Sequence, residues 1–69
     1  MKYNYSKLLG RLKEYNLTQG KLAEKIEINE GTLSLKLNNK NAFTSEEIDR
    51  ICEVLDIPND EIGKYFFTK

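Results

Sequence analysis

Residues 17–34 run Leu17-Thr18-Gln19-Gly20-Lys21-Leu22-Ala23-Glu24-Lys25-Ile26-Glu27-Ile28-Asn29-Glu30-Gly31-Thr32-Leu33-Ser34, and they hold two helix starts in quick succession. Thr18 has the short side-chain oxygen that can accept from a first-turn amide, while Leu17 before it and Leu22 after it are spaced as a hydrophobic staple. Asn29 repeats the pattern, with Ile28 and Leu33 as its staple. The spacing therefore predicts a second helix from Thr18 to about Ile26 and a third that opens at Asn29 and ends near Asn38 and Asn39. Only about Glu27-Ile28-Asn29 remains between them. So short a connection between two capped helices forces a sharp angle instead of an antiparallel hairpin, which is helix-turn-helix geometry over residues 18–38 or so.

Outward from this stretch the chain stays helical. Tyr5, Leu8, Leu9, Leu12 and Tyr15 fall at helical spacing, with Asn4 as candidate N-cap and Asn16 able to take a left-handed exit. Further on, Phe43-Thr44-Ser45-Glu46-Glu47-Ile48 carries a Thr44 to Glu47 capping box and a Phe43 to Ile48 staple. The stripe that follows, Ile48, Ile51, Cys52 and Leu55, has the i, i+3, i+4, i+7 spacing of a core-facing helix, which Ile57-Pro58 ends. A last short helix is expected from about Pro58 or Asn59, with Ile62, Tyr65 and Phe66 inward. No segment alternates with a period of two, so no strand is predicted. The expected fold is all-α, a compact bundle of about five short helices forming one domain over residues 1–69.

Composition narrows the function classes. With 39% hydrophobic and 32% charged residues in 69 positions, the chain has the make-up of a soluble domain, and no apolar run approaches the roughly 20 residues of a membrane span. Its first residues, Met1-Lys2-Tyr3-Asn4-Tyr5-Ser6, lack the apolar stretch of a secretory signal, which makes the cytoplasm the expected location. One cysteine, Cys52, and no histidine leave neither an internal disulfide nor a zinc ligand set. Cys52 lies on an apolar stripe and reads as a core residue. Nucleophilic or acid-base catalysis would need residues and a pocket that this chain lacks, so no enzyme, cofactor or small-molecule ligand is expected. The acidic pairs Glu46-Glu47 and Asp60-Glu61 lie in first helical turns, where the helix dipole accounts for them.

The net charge is zero, yet it is unevenly spread. Residues 1–40 hold eight cations against four anions, and the remainder three cations against seven anions. A polyanion would meet the N-terminal half, although two solvated faces of opposite sign explain the split equally well. With Leu33 and Leu37 inward on helix three, Gly31, Leu35 and Asn38 fall on the opposite side, flanked by Thr32 and Ser34. That face is small and almost uncharged, and it shows a leucine where solvent would favour lysine or glutamate. Such a face suits the major groove, where leucine touches thymine methyls and Asn or Thr bonds base edges. It also suits a protein contact.

The quoted stretch, followed by Leu37-Asn38-Asn39-Lys40, resembles the Cro and lambda-repressor-like helix-turn-helix family over nearly the whole chain, and Ile62-Gly63-Lys64-Tyr65-Phe66-Phe67 resembles the ending of short phage-encoded regulators within it. The resemblance implies sequence-specific binding of double-stranded DNA as a transcriptional regulator, with helix three in the major groove. It implies phosphate contacts from Thr18 and Gln19, and gives the region around Asn29, Glu30, Gly31, Thr32, Ser34 and Leu35 the base-facing role. Asn38, Lys40 and Asn41 match a loop that touches the backbone, and Lys36 could reach a phosphate at the groove edge. It further implies a homodimer on a palindromic site, for which Tyr65, Phe66 and Phe67 are the candidate interface, three consecutive rings being unable to share one core. Glu27 and Asn39 stand where that family has glycines, Gly31 where many relatives carry a polar base-reading side chain, and Glu30 is acidic. The alternative on the same fold is a protein-interaction module, an antitoxin or anti-repressor subunit.

Overall fold

In the computed structural model, which describes residues 2–69, the chain runs through α1 (Ser6–Glu14), α2 (Gln19–Lys25), α3 (Glu30–Leu37), α4 (Ser45–Leu55), a single 3₁₀ turn (Asn59–Glu61) and α5 (Ile62–Phe66). Among the described residues there is no strand, and no helix is long and apolar enough to cross a membrane.

Three of the helix starts are built by the capping residues read from the sequence. Thr18 Oγ1 accepts the Lys21 amide at 3.1 Å, Asn29 Oδ1 accepts the Gly31 amide at 2.7 Å, and Thr44 Oγ1 accepts the Glu47 amide at 3.1 Å. Glu47 returns the favour by accepting the Thr44 amide at 2.9 Å, which completes the capping box. Helix α1 departs from expectation. Its N-cap position is Tyr5, and Asn4 acts from one residue earlier by accepting the Ser6 amide at 2.9 Å.

Each of the first four helices ends on a non-glycine residue in the left-handed region: Asn16 (φ 55°), Glu27 (φ 64°), Asn39 (φ 63°) and Asp56 (φ 51°). Asparagine tolerates this conformation, whereas for Glu27 it costs about 1 kcal/mol. The turn after α2 is held from outside. Arg50 of α4 donates to the Ile26 carbonyl at 3.0 Å and to Glu46 at 2.8 Å, and its guanidinium lies 3.9 Å from the Glu27 carboxylate. Arg11 of α1 does the same for α4, donating to the carbonyls of Leu55 (2.9 Å) and Asp56 (2.7 Å). Two guanidiniums thus satisfy carbonyls that helix ends leave without partners.

The core gathers Leu8 and Leu12 from α1, Leu22, Ala23 and Ile26 at α2, Leu33 from α3, Ile51, Cys52 and Leu55 from α4, and Tyr65 and Phe66 from α5. Leu9 and Tyr15, expected on the inward stripe of α1, instead retain over a third of their exposure. Tyr15 leans outward to donate its hydroxyl to Asp56 at 2.9 Å, a bond that raises the phenol above its usual pKa.

Candidate interaction surface on α2 and α3

Four residues, Ile26 to Asn29, separate α2 from α3, and the two helices pack directly on each other. With Leu33 fully buried and Leu37 packed on the core, the outward side of α3 carries Glu30, Gly31, Leu35 and Asn38. Thr32 and Ser34 are half-buried at its flanks. Leu35 stands 46% exposed, one of the few large apolar side chains left in solvent. Asn38 folds back on its own helix, donating to the Ser34 carbonyl at 2.8 Å. Gly31 permits a tight cap, since a Cβ there would press on Asn29 Oδ1 at 3.0 Å.

The start of α2 joins this surface. Thr18 is committed to the Lys21 amide, and Gln19 is half-buried on the α1 side, where it lines a shallow groove with Leu9, Leu12 and Leu17. The side chain that reaches from α3 to the first turn of α2 is that of Glu30: a methyl group at Gly20 would meet its carboxylate oxygens at 3.0 and 3.4 Å. Lys40 and Asn41 are exposed beyond the end of α3, in the loop toward α4.

Lys36 is the main correction to the sequence reading. It is 7% exposed and forms an ion pair with Glu47 of α4, so it is turned inward and cannot reach a phosphate at a groove edge. The physical reason is positional: Lys36 follows Leu33 by three residues and precedes Leu37, which puts it on the shoulder of the core-facing stripe, opposite a carboxylate already fixed by the Thr44 cap. Burial alone would raise the Glu47 carboxyl, but hydrogen bonds from Lys36 and from the Thr44 amide, with the lysine charge, outweigh it and hold the group below the ordinary carboxylate range. The ion pair welds α3 to α4.

Tyr65 and Phe66 turn inward as their helical spacing predicts, which withdraws both from a dimer surface, so of the three rings named as a candidate interface only Phe67 remains at the surface. Phe67 is 51% exposed and meets Tyr3 edge to face, with ring centroids 5.6 Å apart. The three rings diverge because α5 ends at Phe66, which turns the next side chain away from the helix's buried side. Phe66, Phe43 and Tyr5 continue a run of edge contacts at 5.4 and 5.5 Å.

Comparison with known proteins fits this geometry to a class. The model of the family described as "Protein of unknown function (DUF739)" matches residues 1–69, and the chain belongs to that family. The family shown is thus not the Cro and lambda-repressor-like one that the motifs resemble. Among solved structures, the chain is similar to the modulator of repression (MOR) of the temperate bacteriophage TP901-1 from Lactococcus lactis. The two are 42% identical with a TM-score of 0.82, over 97% of this chain and 90% of that one. No curated protein matches the chain.

Proposed function

We propose that this chain is a phage regulator that modulates repression by binding a repressor protein, using the outward side of α3, and that it does not read DNA itself. The observation that carries the reading is the chemistry of that side. Its prominent exposed side chain is Leu35, and the one cation of α3, Lys36, lies inside the protein. Duplex DNA is held mainly by neutralising phosphates with mobile Lys and Arg side chains, and α3 offers none. A protein interface needs a desolvated apolar centre from which charge is largely withdrawn, and that is what Leu35 and its small polar neighbours provide. The zero net charge of the chain points the same way. So does its likeness to a protein titled a modulator of repression.

The test is calorimetric titration of the purified protein with the repressor encoded in the same genome, beside a parallel titration with random duplex DNA at low and physiological salt. The expected result is saturable repressor binding with a negative heat-capacity change, weakened about tenfold or more (~1.4 kcal/mol) by Leu35→Ala. Silence toward the repressor, together with steeply salt-dependent retention of DNA, would restore the DNA-reading alternative.

A further inference from the structure

Resting on the reading above, we infer that Glu30 is a specificity-determining residue whose carboxylate, laid across the junction of α2 and α3, keeps nucleic acid off this surface. In a helix-turn-helix complex the first residues of the second helix enter the groove while the first helix crosses the phosphate backbone. The junction between the first turn of α2 and the first residue of α3 is therefore the part of the surface nearest to phosphates. Here that junction holds an anion. Glu30 is exposed, opens α3 and rests against Gly20, the second residue of α2.

Two features make this a built arrangement. Gly20 leaves the space that the carboxylate occupies, since a Cβ would stand 3.0 Å from Oε1 and 3.2 Å from the carboxyl carbon. The charge is also uncompensated: among the described residues the ion pairs join Arg11 to Glu14, Lys36 to Glu47, and Arg50 to Glu27 and Glu46, with none to Glu30. The lysine on the same helix is committed to α4. A phosphate approaching to about 4 Å would meet a full like charge, which even in bulk water weakens binding about fivefold. A protein partner carries no such obligatory anion and can leave the exposed carboxylate hydrated at the polar rim around Leu35.

A favourable interaction with the α3 dipole also suits an acid at this position. The two roles separate experimentally. Fluorescence anisotropy with random duplex DNA at low salt compares the unmodified protein with Glu30→Gln, Glu30→Lys and Glu53→Gln, the last removing an equal charge from the exposed side of α4. The expected result is a gain of about fivefold for Glu30→Gln and a larger one for Glu30→Lys, both shrinking as salt rises, with no gain for Glu53→Gln. Equal gains for Glu30→Gln and Glu53→Gln would reduce the effect to net charge and overturn the inference. So would the absence of any gain in the Glu30 variants. The repressor titration decides the functional reading separately: failure there leaves the comparison among these variants intact, and success there does not supply it.

Discussion

Leu35 and Lys36 are neighbours in the chain and opposites in placement. The leucine stands in water and the lysine is buried against Glu47, the reverse of what each side chain would choose alone. On the inward side of α3, charge is spent on fixing one helix against another. On the outward side, an apolar group is left without cover. The lesson is that the charge of a recognition-type helix says little about its partner until each side chain has been assigned to a face.

The sharpest way to break this comparison is to remove the inward charge. Lys36→Ala leaves the half-buried Glu47 with only its Thr44 contact and is expected to lower stability by about 2–3 kcal/mol in urea unfolding, whereas Leu35→Ala changes it by less than about 0.5 kcal/mol. Similar losses for the two variants would erase the distinction. The double variant Lys36→Met with Glu47→Leu replaces the pair by apolar groups and should recover part of the loss, short of the capping bond that Glu47 also makes to the Thr44 amide.

Acid probes the same contact more gently. The Glu47 carboxyl titrates lower in the folded protein than in the unfolded chain, so its contribution is fully present above the ordinary carboxylate range and disappears as pH falls through its lowered folded value. The urea midpoint should therefore decline below about pH 4–5, and less steeply in Lys36→Met. Smaller again is the effect of Thr44→Ala, which opens the capping box that positions Glu47 and should cost about 1 kcal/mol in the same assay. Smallest is Glu27→Gly in the turn between α2 and α3. Relief of the left-handed strain, partly offset by the loss of an exposed contact with Arg50, should raise stability by a few tenths of a kcal/mol.

The helical architecture was legible because its signals are local. Thr18, Asn29 and Thr44 lie within three residues of the amides they cap, and the stripe of Ile51, Cys52 and Leu55 is a matter of spacing. The left-handed exits at Asn16 and Asn39 were equally open to reading. What stayed hidden depends on pairs distant in sequence. Arg11 meets carbonyls 44 and 45 residues away, and Arg50 reaches back 24 residues to Ile26. Lys36 was misread for the same reason. Its position on the shoulder of the apolar stripe was visible, but the carboxylate that draws it inward belongs to another helix. The outward placement of Gly31, Leu35 and Asn38 followed from the helical period, that of Glu30 only from the family resemblance, and the contact of Glu30 with Gly20 required the turn itself.

The segment before α1 also bears on how the molecule opens. The Asn4 amide donates to the Thr68 carbonyl at 2.6 Å, while Tyr3 and Asn39 exchange two hydrogen bonds of 2.8 and 2.9 Å. Chain ends ordinarily fray one at a time, each exchanging its amide protons within moments. Here Tyr3 and Asn4 are tied to the close of α3 and to Thr68, so release of either segment breaks the bond between them. Because the bond from Asn4 to Thr68 spans nearly the whole chain, it can form only once α1 and α5 have packed together, which places it among the last in folding. The Asn4 amide should accordingly behave as a latch, its deuterium uptake timing the joint release of both ends.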